Sequence, residues 1–363
     1  MKKKRIAILG ATGSIGKSSL DVISRDRENF EVVLLTAFSN NQKLEDLSRQ
    51  FPDAACVLAC ESDKKIPDSI YELKPDIIIN GISGAAGLKP SLAAINSGSD
   101  LALANKETIV MAGQLAMSLA KEKNVNIIPV DSEHSAIFHL IRGFSKEKIN
   151  EIVLTASGGP FKDLHVNEME NVTVEDALAH PTWNMGRKIT IDSASMANKG
   201  LEIIEACVLF NMPPDKIKVV IHPQSVVHSM ISLCNGVFYA QLSKPDMRHP
   251  IHDAIYWPLT ASSSLEPVNF DCLTLEFSKP DRIKFPMLTL AQNAALQGAL
   301  YPCAYNAANE IAVSAFLNKK IKFTDIPKIA ENVLQDDWSG DCMNLDTILE
   351  ADFLSRLKAN SLL

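Results

Sequence analysis

An apolar run at residues 5–9, the turn Gly10-Ala11-Thr12-Gly13-Ser14-Ile15-Gly16, a helical stretch at 16–23 and a second β-rich run at 32–37 limit most tightly what this chain can fold into. The alternation continues, with candidate strands at 55–58, 77–80, 100–103 and 126–130, as a doubly wound parallel sheet requires. In that setting a glycine pattern spaced by three marks a dinucleotide site and not a chance turn. Gly10 permits the tight turn, Gly13 lets backbone approach a pyrophosphate, and Gly16 lets the helix pack close. The helix N-terminus adds free N–H groups and partial positive charge for the phosphates.

At 363 residues and 46% hydrophobic content the chain has material for two or three domains. A net charge of −7 argues against nucleic acid or an anionic membrane as a partner. The basic run Lys2-Lys3-Lys4-Arg5 reads as a solvated flank, with targeting as the alternative. The apolar stretch at 6–9 is too short for a signal peptide, and no run of 18 apolar residues offers a membrane span. Seven cysteines, odd in number and scattered, fit reduced thiols in a cytosol. Cys56 and Cys60 lack a second Cys or His pair, which disfavours a metal clip.

An NAD site places a carboxylate near the end of the second strand to bind the ribose. This chain has Thr36-Ala37-Phe38-Ser39-Asn40-Asn41 instead. That favours NADP, although no Arg follows. Asp131 and Glu133 end another apolar run, and in extended chain their carboxylates share a face and repel unless a cation lies between them. Taken alone, the pair also reads as solvated loop acids, or Asp131 as the cap of a helix beginning near His134. Glu202 favours the cation, because its helix also carries Asn198 and Lys199 on the same face. Three carboxylates without a Cys or His set describe a magnesium or manganese site and disfavour zinc. Ser157-Gly158-Gly159-Pro160 follows a strand at 152–156 and reads as an anion nest or as a plain turn. A helix N-terminus near Ser193, with Ser195, Asn198 and Lys199, offers a second set of phosphate donors. The sum is a small phosphorylated substrate beside a cation and a hydride donor.

Through these residues the sequence resembles the 1-deoxy-D-xylulose 5-phosphate reductoisomerase family. The likeness runs through the glycine turn, Leu103-Ala104-Asn105-Lys106-Glu107, residues 130–138, 155–161, 180–206 and 222–230, Pro245-Asp246-Met247-Arg248 and residues 306–313. It implies an α/β protein with an N-terminal Rossmann-like NADP-binding domain at 1–125. A central α+β catalytic domain with a flexible flap would follow at 126–256, then a linker at 257–286 and a small C-terminal α-helical domain at 287–363. The implied reaction rearranges 1-deoxy-D-xylulose 5-phosphate and reduces the resulting aldehyde with NADPH to 2-C-methyl-D-erythritol 4-phosphate. The implied cofactors are NADPH and one divalent cation, magnesium, manganese or cobalt, in a cytoplasmic homodimer.

By the same resemblance Asp131, Glu133 and Glu202 match metal ligands. Ser157, His180, Ser193, Asn198 and Lys199 match the phosphate and substrate contacts, and Lys106 and Ser132 match contacts to the substrate's hydroxyl-bearing carbons. Thr12, Gly13, Ser14, Ile15, Asn40, Asn105, Glu107 and Gly186 match cofactor contacts. Where the family has Gly, a basic residue and Asn after the second strand, this chain has Phe38-Ser39-Asn40, so only Asn40 transfers.

Trp183 and Met185 read as a substrate cover, against ordinary core packing. His134 and His228 read equally as supports of the metal shell and as core histidines. Pro258, Ser262, Ser263, Ser264, Pro267 and Pro280 punctuate the expected linker. Helices are expected at 288–318 and 326–334, and residues 306–313 as domain packing. Two other functions fit the motifs in part: a metal-independent NADP-dependent dehydrogenase, and a nucleotide sensor without turnover.

Overall fold

The computed structural model describes residues 2–62 and 64–363. Its elements begin with β1 (Lys4–Leu9), α1 (Ser14–Ser24), β2 (Phe30–Ala37), α2 (Asn41–Gln50), β3 (Ala55–Leu58), α3 (Lys65–Leu73), β4 (Ile77–Asn80) and α4 (Leu88–Asn96). β5 (Asp100–Leu103), α5 (Lys106–Lys123), β6 (Ile127–Pro129), α6 (Ser132–Ile141), β7 (Ile149–Ala156), α7 (Val174–Leu178), α8 (Arg187–Ala194) and α9 (Ala197–Leu209) follow. The chain ends through β8 (Ile217–Ile221), β9 (Val227–Leu233), β10 (Phe238–Leu242), α10 (Arg248–Tyr256), α11 (Pro286–Gln297), α12 (Tyr301–Leu317), α13 (Asp325–Val333) and α14 (Leu345–Asn360).

These elements form two compact units. The first comprises Met1–Thr108, Ala116–Ser135 and Asp246–Glu266. Its sheet is parallel throughout, in the order β3-β2-β1-β4-β5-β6. Ile6, Ile8, Leu9, Ile77, Ile78 and Ile79 are fully buried, as befits central strands covered on both faces. The strand order reverses between β1 and β4, and the crevice beyond their carboxyl ends is where such sheets bind ligands. Thr36 ties the glycine turn to β2: its hydroxyl accepts from Gly10 N–H at 3.1 Å and its carbonyl from Ala11 N–H at 2.7 Å. A Cβ on Gly16 would lie 2.4 Å from the Ala11 backbone, so α1 closes on the turn only because residue 16 has no side chain.

β6 pairs with β5, and α10 returns to α1, where Arg248 meets Asp21 at 2.9 Å and the Tyr256 hydroxyl donates to Asp26. The basic flank is also more than solvated charge. Lys4 donates to the carbonyls of Ile255 at 2.9 Å and Trp257 at 3.1 Å, and Arg5 donates to those of Leu73 at 2.6 Å and Lys74 at 3.2 Å, at the end of α3.

The second unit comprises Ile109–Leu115, Ala136–Pro245 and Pro267–Leu363. Its sheet runs β10-β9-β7-β8, with β7 and β8 parallel and the other pairs antiparallel. The single helix expected at 288–318 is two, because Gly298 and Ala299 take φ of 68° and 46° between α11 and α12. α14 was not expected; the Asn344 side chain starts it by accepting from the Asp346 and Thr347 amides. Residues 257–285 hold no helix or ladder strand among the described residues, only a bridge of Ile221 to Ser278. His222 fixes that stretch from β8: its Nε2 accepts from the Val226 and Val227 amides, which leaves Nδ1–H to donate to the Glu276 carbonyl at 2.9 Å. Among the described residues, no helix is long and apolar enough to cross a membrane, and all seven cysteines are thiols.

Gly16→Val forces two methyl groups into the space between α1 and the turn. The expected cost is about 1–3 kcal/mol, read as a lower urea midpoint; an unchanged midpoint would contradict the close approach.

Candidate active site

In the crevice of the first unit, Gly13 caps α1 with extended backbone and no side-chain bond, which leaves the first-turn amides to a ligand. Gly13 and Ser14 are exposed, and Thr12 and Ile15 are half-buried. Asn40 caps α2, its Oδ1 accepting from the Lys43 amide at 3.1 Å. Phe38, where a glycine was expected, is 73% exposed, and Ser39 stands where the basic residue was expected.

Asn105 caps α5 and holds the loop after β4. Its Oδ1 accepts from Thr108 N–H at 3.0 Å, and its Nδ2 faces the carbonyls of Ile82 at 2.7 Å and Gly84 at 2.9 Å and the Glu107 carboxylate at 2.9 Å. Asn80, absent from the sequence expectations, supports the same loop by donating to the Gly87 carbonyl and Ser91 and accepting from Ile82 N–H. A lone amide closing the run Ile77-Ile78-Ile79 was the available signal.

Lys106, the first residue of α5, meets Asp131 at 2.5 Å with both side chains largely buried. Burial alone would raise the Asp131 pKa, but Lys106 and the neighbouring His134 outweigh it and hold the carboxyl well below its ordinary range. Asp131 and Glu133 do not share an extended strand. α6 begins at Ser132, because the Asp131 carbonyl accepts the Ser135 amide at 2.8 Å and its carboxylate faces the Glu133 amide at 3.4 Å. Asp131 thus both starts the helix and pairs with Lys106. Ser132 donates to Glu133 at 2.6 Å.

The second unit carries the other candidates. Beyond β7, Gly159 has φ of 66°, and a Cβ there would lie 2.9 Å from the Ser193 carbonyl, so the Ser157-Gly158-Gly159 turn lies directly against α8. His180 Nε2 stands 3.1 Å from both the Ser157 and Ser193 hydroxyls. Its Nδ1 accepts from the amides of Thr182 at 3.1 Å and Trp183 at 2.9 Å. Nδ1 therefore carries no proton, and the ring presents Nε2–H between the two serines. Burial pushes the His180 pKa down, in keeping with a neutral ring.

Ser193 belongs to the last turn of α8, not to a helix N-terminus as expected; α9 starts four residues later, after Met196. Within α9, Asn198 donates to Glu202 at 2.5 Å and Lys199 bonds the other oxygen of that fully buried carboxylate. Gly186 is exposed and caps α8, and half-buried Trp183 and Met185 lie in the irregular stretch before it. His134 and His228 are buried, the latter 2.8 Å from the Ser243 hydroxyl. Each unit thus sets carboxylates beside ammonium groups, and the second adds a neutral imidazole between two hydroxyls, a donor set suited to an anion.

Known proteins share this architecture. Family models described as 1-deoxy-D-xylulose 5-phosphate reductoisomerase match residues 6–72 and 64–113, and models of its C-terminal domains match 127–210 and 242–358. The 1-deoxy-D-xylulose 5-phosphate reductoisomerase of Treponema denticola is 48% identical over 93% of this chain and 92% of its own. That of Pelodictyon phaeoclathratiforme is 46% identical over 97% and 98%. A crystal structure of DOX-P reductoisomerase with NADPH, fosmidomycin and magnesium superposes with a TM-score of 0.94 at 39% identity, covering 99% of this chain and 98% of the other. The Zymomonas mobilis enzyme with NADPH gives 0.89 at 38% identity, covering 99% of both.

Because burial disfavours the imidazolium, the order that His180 lends to the following residues is complete above the ordinary imidazole value, about 6.5, and is lost as pH falls below it. Hydrogen exchange at Thr182 and Trp183 is expected to accelerate, beyond the intrinsic pH trend, as pH is lowered from neutrality to well below that value. Flat protection would contradict the Nδ1 acceptor.

Proposed function

The chain belongs to the 1-deoxy-D-xylulose 5-phosphate reductoisomerase family, and from that membership we propose which of its residues perform the reaction. The protein converts 1-deoxy-D-xylulose 5-phosphate to 2-C-methyl-D-erythritol 4-phosphate with NADPH and a divalent cation. Thr12, Gly13, Ser14, Ile15, Asn40, Asn105, Glu107 and Gly186 bind NADPH. The uncapped start of α1 fits its pyrophosphate, and the nicotinamide supplies hydride to the rearranged aldehyde. Asp131, Glu133 and Glu202 hold the cation, a set of hard oxygens suited to magnesium, manganese or cobalt. Such an ion supplies Lewis acidity for the substrate's carbonyl and hydroxyl oxygens.

The phosphate is held by Ser157, Ser193, Asn198 and Lys199, with the Nε2–H of His180 between the serines. Binding energy from this remote group positions the reacting carbons. Lys106 and Ser132 contact the hydroxyl-bearing carbons. Trp183 and Met185 cover the substrate and keep water from it. The residue assignment is carried by one observation: Asp131 and Glu202 are held beside Lys106 and Lys199 rather than in water. In domain terms, residues 1–125 bind the cofactor, 126–256 catalyse, 257–286 link and 287–363 form the helical domain.

The working form is a cytoplasmic homodimer. β10 is the edge strand of its sheet and exposes Phe238 at 56% and Tyr239 at 42%, a pairing surface that proteins seldom leave open. Phe238→Glu is expected to shift the protein to monomer in light scattering; an unchanged mass would exclude this edge from the interface.

Purified protein with substrate, NADPH and manganese is expected to oxidise NADPH, and a chelator to stop it. Turnover that survives chelation would defeat the metal assignment. Glu202→Gln keeps shape but removes charge, so turnover is expected to fall roughly 10²–10³-fold with NADPH affinity retained; normal turnover would remove Glu202 from the ligand set.

A further inference from the structure

Residues 306–313 lie in α12, far along the chain from the proposed phosphate contacts, yet two of its buried side chains reach the helices that carry them. Asn309 donates from Nδ2 to Asp192 in α8 at 2.7 Å. Asp192 is almost wholly buried, and its other oxygen meets Lys188 at 3.0 Å. One turn earlier, the Tyr305 hydroxyl donates to the Met287 carbonyl at 3.1 Å and occupies the space that a Cβ on Gly200 of α9 would take, 2.6 Å away. A helix backed only by apolar contacts can settle at slightly different rotations. A buried carboxylate held from two directions allows one, because leaving it half-paired is costly.

We propose that Asn309 is a positioning residue for phosphate binding: through Asp192 it sets the rotation of α8 and thereby places the Ser193 hydroxyl opposite Ser157 and His180. This rests on the phosphate assignment made above. Asp192 and Ser193 are adjacent, so they point about 100° apart around the helix, one toward α12 and the other toward His180. A 20° rotation of α8 would carry the Ser193 hydroxyl roughly 1.5 Å. A displacement near 1 Å in such a contact costs about 10²-fold in rate.

The test uses the full-length protein, with circular dichroism and urea unfolding to confirm a folded state. Asn309→Leu removes the donor and preserves bulk. The expected result is a roughly tenfold rise in KM for the sugar phosphate and a similar rise in the Kd of inorganic phosphate, with NADPH affinity unchanged. The phosphate measurement needs no turnover, so a wild type that binds phosphate but does not consume substrate would defeat the activity while the role of Asn309 is still decided. Asn309→Asp is the second variant. It sets a second carboxylate against Asp192, with Lys188 as the facing cation and the Tyr305 hydroxyl as the other titratable group there, so affinity relative to the wild type at the same pH is expected to fall at pH 8 and to recover toward pH 6 as the pair shares a proton. Wild-type phosphate affinity in folded Asn309→Leu would overturn the proposal. So would a loss in Asn309→Asp, relative to the wild type at the same pH, that is equal at pH 8 and pH 6.

Discussion

Three largely buried carboxylates each lie against an ammonium group: Asp131 with Lys106, Glu202 with Lys199, and Asp192 with Lys188. An unpaired charge in such places would cost several kcal/mol, so each pair constrains the elements that hold it. Two pairs are three or four residues apart and form with their own helices, α9 and α8. The third joins the end of β6 to the start of α5 and is available only once the parallel sheet exists. Apolar replacements would pack at less cost; what the charges add is polarity already oriented before substrate arrives.

The parallel sheet was legible because central strands covered on both faces must be apolar throughout. Ile6 to Leu9 and Ile77 to Ile79 stand out between polar turns, and each first-unit strand lies within about two residues of its expected span. The second sheet was less so. Only β7 had been expected, since β10 mixes exposed aromatics with polar residues. α14 escaped notice because its buried side, Ile348, Ala351, Ser355 and Ala359, has one large apolar residue among small and polar ones.

At the candidate site the residue types were readable and the local geometry was not. Asp131 and Glu133 straddle a helix start, and Ser193 closes a helix rather than opening one. Both displacements come from hydrogen bonds between neighbours that spacing alone does not reveal. Asn80 and Asn309 were missed for a different reason. A buried amide is defined by the partners that tertiary structure brings to it, and the motif around Asn309 offered only helical periodicity. The irregular stretch at 181–186 is held by His180, which accepts from its Thr182 and Trp183 amides, and ends at Gly186, the cap of α8. Its freedom is therefore confined to a few residues.

The first unit is assembled from three separate stretches of chain, the last of them containing α10. The carbonyls that receive the Lys4 ammonium belong to residues 255 and 257, so the opening strand waits for a partner some 250 residues downstream. At ordinary ribosomal speeds that interval is roughly 10–50 s. During synthesis the nascent sheet therefore emerges with one of its helices missing, and the whole second sheet is translated before the first is finished.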